Sequence, residues 1–162
     1  MADPYRLAVM KALTEQLKGI TVANGYTYDL TNSVFRGRAV FGDDDPVPMI
    51  SVLESPRNEP GQFSGENARK GDLTVLVQGW ADDDDENPTD PAYFLMDAVE
   101  HRLARVTAIS SSTGEPVYPT EYLLNRLVAD FKVQPGVVRP PMMDGISSKA
   151  FFYLAVTLTL VN

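Results

Sequence analysis

Leu7, Met10, Leu13, Leu17 and Ile20 recur at spacings of three or four, an apolar stripe that predicts a helix over 4–18. Asp3 is placed to cap it, Pro4 suits the first turn, Lys18 complements the carbonyl end, and Gly19 stops it. Further on, Ala92, Leu95, Val99, Leu103 and Val106 repeat the same period behind Asp90 as cap and Pro91 as first residue, predicting a second helix to about 106.

The remaining pattern alternates with period two. The closing segment at 150–161 puts Phe152, Leu154, Val156, Leu158 and Leu160 on one face and Tyr153, Thr157 and Thr159 on the other. At 72–80, Leu73, Val75 and Val77 oppose Thr74, Leu76, Gln78 and Trp80, which reads as a central strand. At 127–134, Leu127, Ala129, Phe131 and Val133 are expected inward and Asp130 and Lys132 outward. PVPMISVL at 46–53 is a strand entered through prolines, and Tyr/Thr-rich GYTYDL at 25–30 has strand composition. VFRGRAV at 34–40 is a short edge strand or an irregular connection.

Between two strands lies the polar stretch 54–71, with Phe63 its one large apolar residue, read as an outward-projecting loop. The Ser-, Pro- and Gly-rich stretches 110–119 and 135–148 read as further loops. A run of strands with one helix before and one between gives α+β: a mostly antiparallel or mixed sheet of four to five strands with two helices against it, one domain over 1–162.

Composition narrows the function classes. At 162 residues, 44% hydrophobic and 22% charged, the chain suits a single globular core. The absence of cysteine removes disulfides, thiolate nucleophiles and cysteine-bound zinc. Charges within the first 16 residues argue against a signal peptide or membrane span there. Fourteen Lys and Arg against 22 Asp and Glu give a net charge of −8, which disfavours wrapping of nucleic acid.

Candidate chemistry is thin. His101, the one histidine, falls opposite the apolar stripe of the second helix, one turn after Asp97, and reads as a surface residue with no nucleophile to activate. The runs Asp43, Asp44, Asp45 and Asp82, Asp83, Asp84, Asp85, Glu86 hold eight of the 22 carboxylates. Such carboxylates can hold Mg²⁺ or Ca²⁺, and a metal-dependent nuclease or hydrolase would use them so, but consecutive acids diverge and no calcium-loop spacing is present. A solvated, self-repelling loop is the plainer reading. GQFSG at 61–65 lacks the Lys-Ser/Thr pair of a phosphate loop. Arg36 and Arg38 beside Phe35 suit a salt bridge or a subunit contact. Phe63 suits core and interface equally, whereas Trp80 favours the core.

The order of pieces is distinctive: a first helix ending LKGI, then GYTYDL and VFRG, PVPMISVLE, a long polar loop, VLVQGW, an acidic NP-containing turn, the second helix, and FFYLAVTLTLV. In that order the chain resembles, over nearly its whole length, the tail terminator proteins of long-tailed phages, the minor tail protein U-like family. It departs from shorter members in carrying the 110–119 and 135–148 loops. The resemblance implies a structural virion protein without enzymatic activity or cofactor, forming a hexameric ring with copies of itself at the head-proximal end of the tail. The ring would bind the tail-tube protein, stop its polymerisation, and offer a joining surface to the head–tail connector. DNA would pass through without specific binding, and no membrane is involved. Another neck or tail completion protein is the neighbouring alternative. On this reading Arg36, Arg38, Arg57, Phe63, Arg69 and Lys70 are subunit-interface candidates, and the 54–71 arm can add as a strand to the next subunit. Asp43, Asp44, Asp45, Asp82, Asp83, Asp84 and Asp85 are candidates to face the channel, where like charge keeps a polyanion from sticking.

Overall fold

The computed structural model describes residues 3–38, 45–54, 63–64, 70–82, 86–139 and 149–161. In chain order these form α1 (Tyr5–Lys18), β1 (Val34–Arg36), β2 (Met49–Glu54), β3 (Phe63–Ser64), β4 (Lys70–Ala81), α2 (Asp90–Ala104), α3 (Leu123–Arg126), β5 (Asp130–Val133), β6 (Val137–Arg139) and β7 (Ala150–Val161).

β4 and β7 are the spine, antiparallel and paired over all twelve residues from Lys70↔Val161 to Ala81↔Ala150. The sheet runs β1-β2-β4-β7-β5, with β3 also on β4 and β6 also on β7. Among the described residues it is therefore five lanes wide but contains seven strands, more than the four to five expected, because the polar stretches 54–71 and 135–148 contribute β3 and β6. Among the described strands only β1 and β2 pair in parallel and every other pair is antiparallel, so the class is α+β with a mixed sheet.

Alternation decides the layers. Leu73, Val75 and Val77 stand opposite Leu158, Val156 and Leu154, and all six are buried beneath the helices. α2 packs on β4 and β7, while α1 packs on β1 and α2. Gly79 lies across from Phe152, whose ring occupies the space a side chain there would take, so a fully buried phenylalanine lies over β4 beside Ile50 of β2. On the opposite face Thr74, Leu76, Gln78, Tyr153, Ala155 and Thr157 are half-buried, while Met49, Ser51 and Trp80 at one end are buried. Trp80 is thus a core residue, as its position suggested.

Several expectations are corrected. The residue preceding α1 is Pro4, with no side-chain cap, and the Asp3 carboxylate instead accepts from Lys11 Nζ at 2.9 Å. Leu7 is 39% exposed and Val9 takes its place in the core, because the helix turns its buried face slightly from the predicted stripe. Thr89 rather than Asp90 precedes α2, again without a side-chain cap bond. Residues 25–30 form no strand: Gly25 turns the chain at φ 94°, and the Leu30 N–H donates to the Ile20 carbonyl at 2.8 Å, folding the segment back to bury Leu30. β5 starts only at Asp130, so Phe131 points inward while Ala129 is exposed and Val133 is 36% exposed. The arm at 54–71 is not wholly free, since Phe63 and Ser64 pair with Gly71 and Lys70 of their own chain.

α3 has no counterpart in the sequence reading. Leu123, Leu124, Asn125 and Arg126 all have positive φ, between 50° and 64°, one left-handed turn. Such a conformation costs about 1–2 kcal/mol per L-residue. It is held by the Leu123 N–H donating to the Val106 carbonyl at 2.8 Å and by burial of the Leu124 side chain.

Candidate interaction site

Two places gather charge. The first joins α1, α2 and the segment before α3. Arg102 follows Leu95 by seven residues and Val99 by three, so it lies on the buried stripe of α2, and only 8% of it is exposed. Its Nε donates to the Gln16 carbonyl at 2.7 Å, and its Nη1 stands 3.5 Å from Glu121 Oε1. Gln16 Nε2 donates to the Arg102 carbonyl at 3.1 Å and to Glu121 Oε1 at 2.8 Å. Arg105 closes on Glu121 with a two-point grip, Nε to Oε1 at 2.9 Å and Nη2 to Oε2 at 2.7 Å, and lies over the Tyr118 ring at 3.7 Å. The Arg105 hydrogen bonds hold the Glu121 carboxyl below the usual carboxylate range; partial burial opposes this, and Gln16 and the charge of Arg102 reinforce it. With every partner satisfied from within the chain, this is a structural joint.

The second is a groove of about 540 Å³ between α1 and β1. Lys11 and Lys18 line it from the helix, Arg36 and Arg38 from the strand and its continuation, with Glu15 the one carboxylate among its described lining residues. Lys11 and Lys18 are seven apart, nearly two turns, so they share the outer side of α1. The Arg38 guanidinium lies over the Phe35 ring at 3.7 Å and engages the Asp45 carboxylate. Its main chain is fixed by Ser51, whose Oγ accepts from the Arg38 N–H at 3.1 Å and donates to the Arg38 carbonyl at 2.6 Å. Lys11 pairs with Asp3 at 2.9 Å and Lys18 with Glu15 at 3.3 Å. Arg36 is exposed and carries no ion pair among the described residues.

Among the described strands β1 is also a sheet edge. The Ser33 carbonyl accepts from the Ile50 N–H at 2.9 Å and the Gly37 N–H donates to the Val52 carbonyl at 2.8 Å, so odd-numbered residues face β2. By parity the main-chain N–H and C=O of Val34 and Arg36 point away from β2, along the groove.

Of the residues singled out from sequence, this groove joins Arg36, Arg38 and Asp45. Asp82, just past β4, pairs with Lys149 Nζ at 2.7 Å. Phe63 and Lys70 are placed by their backbone pairing in β3 and β4. Arg57, Arg69, Asp43, Asp44, Asp83, Asp84 and Asp85 lie outside the described residues. His101 is exposed, its Nδ1 3.3 Å from Asp97 Oδ2, as the helix period predicted. Sequence reasoning missed Lys11 and Lys18, whose signal was their spacing on the polar side of α1, and Arg102, whose signal was a charge on an apolar stripe. Among the described residues no three His, Asp or Glu side chains converge as a metal would require, and no helix is long and apolar enough to cross a membrane.

Comparison with family models and with curated proteins finds no match for this chain.

Proposed function

We propose that the protein is a structural subunit of a tail-terminator ring: it joins copies of itself, six by analogy with the resembled family's rings, caps the tail tube of a long-tailed phage, and presents the joining surface for the neck. The observation that carries this reading is a mixed sheet ended by different strands on its two sides, β1 on one and β5 with β6 on the other. Contacts between unlike edges are head-to-tail, and head-to-tail contacts close into rings when the rotation per subunit divides a full turn. The order of sequence pieces supports the phage assignment, and the net charge of −8 suits a collar through which DNA must slide without adhering. The carboxylate-metal reading has less behind it, since Asp45 and Asp82 each face a cation of their own chain.

Negative-stain microscopy of the purified protein, alone and with tail-tube protein, tests the reading. Six-fold annuli, or tubes stopped at a capped end, are expected. A protein that stays monomeric, ignores tube ends and hydrolyses nucleic acid with Mg²⁺ would overturn it, and binding to the portal assembly but not to tubes would move it to another neck position.

A further inference from the structure

Among the described strands the sheet ends at β1 on one side and, on the other, at β5 and β6, which lie end to end along β7. The Gln134 N–H donates to the Ala155 carbonyl at 2.8 Å, so the even-numbered residues of β5 face β7 and the main-chain groups of Phe131 and Val133 point outward. Beside that edge a groove of about 450 Å³ opens between α2 and β5, lined by Leu103, Ala104, Phe131 and Val133 together with Glu100. Val133 is 36% exposed there although it is apolar. Glu100 is exposed and carries no ion pair among the described residues, and the same holds for Arg36 at the opposite edge.

The two edges match in direction and spacing. β1 runs parallel to β2, whereas β2 to β4, β4 to β7 and β7 to β5 each reverse, so β1 and β5 run in opposite directions. A neighbouring copy whose helices lie on the same face therefore brings its β1 against β5 as an antiparallel pair, the more stable kind. Outward main-chain groups recur every second residue on both edges, at Val34 and Arg36 on one and at Phe131 and Val133 on the other.

We propose that β5 accepts β1 of a second copy, so that one sheet runs through neighbouring subunits with Val34 opposite Val133 and Arg36 opposite Phe131. The inference rests on the ring reading and deepens it by assigning the strands and the register of the subunit contact. Val34 is buried toward the helices, so Arg36, two residues on, projects on that face into the groove of the next copy, where its stem covers apolar surface and its guanidinium meets Glu100. Asp130 Oδ1 accepts from the Phe131 N–H at 2.9 Å, which blunts the edge of a free subunit and leaves the Val133 N–H and the carbonyls of Phe131 and Val133 for the incoming strand. Two copies of β5 paired with each other would instead draw two Glu100 carboxylates to one seam and leave Arg36 without a partner.

Three sets of variants, read by native mass spectrometry and negative-stain microscopy, test it. V133P removes an N–H that points away from β7, a place where an edge strand tolerates proline, so the fold should keep its circular dichroism while assembly is lost. R36E and E100K are each expected to weaken assembly at least about tenfold, and the chain carrying both to recover it. The protein has no cysteine, so S33C/Q134C introduces a unique pair, directly opposite across the proposed seam. Within one chain these positions flank a sheet five lanes wide, about 19 Å across, too far for a disulfide, so covalent multimers on oxidation report the contact between copies.

Rings that form without that disulfide and withstand V133P would overturn the proposal while leaving the ring reading intact, as would a doubly swapped chain that folds but stays monomeric. Should V133P unfold the protein, the charge swap and the disulfide decide alone. Covalent dimers from Q134C by itself would show β5 pairing with its own copy and overturn the β1 assignment. A wild type that never assembles would overturn the ring reading and this contact together.

Discussion

Gly19 lies under the Arg102 guanidinium, so close that a methyl group there would overlap it. The guanidinium cannot swing aside, because Nε is bound to the Gln16 carbonyl and Nη1 faces Glu121. Gly19→Ala is therefore expected to cost about 2 kcal/mol in urea denaturation, the magnitude of a local overpacking. In an Arg102→Ala background the same change should cost almost nothing, and a double-mutant cycle reads the difference. Sequence reasoning assigned Gly19 to helix termination, yet its φ of −74° needs no glycine; the requirement is for room. That room was not legible, because it depends on a side chain 83 positions away (102 − 19 = 83).

At the scale of elements, the joint of α1, α2 and the segment before α3 has a pH signature. The Glu121 carboxyl is held below its ordinary range chiefly by Arg105, so its contribution is complete above the unfolded-state value, about 4.3, and is lost as pH falls through the lower folded value. Melting temperature should fall as acid is added below about pH 4, and Glu121→Gln should flatten that part of the curve. α3 offers a second test. Asn125 is exposed with φ 58°, where glycine is at ease, so Asn125→Gly should be neutral or stabilise by about 0.5 kcal/mol, whereas in a right-handed helix it would destabilise by up to about 1 kcal/mol. The long periodic elements α1, α2, β4 and β7 were legible because each buries one continuous face. α3 was not, because four L-residues in a left-handed turn are imposed by tertiary contacts and have no local pattern. The 25–30 segment misled for the opposite reason: its tyrosines and threonines suit a strand, but Leu30 had to reach the core from a turn.

For the whole molecule, the ring proposal rests on the sheet's unlike edges, and the α1–β1 groove gathers Lys11, Lys18, Arg36 and Arg38 on one side of it. Arg36 and Arg38 were visible in the sequence as a basic pair beside Phe35, but the groove was not, since half of it comes from a helix earlier in the chain. The spine carries a further consequence for how the protein is made. β7 lies between β4 and β5, and its partner β4 precedes it by roughly 80 residues (150 − 70 = 80). During synthesis both sides of the sheet leave the ribosome before the strand that unites them, so the nascent polypeptide holds its apolar faces open until residue 161 has cleared the exit tunnel.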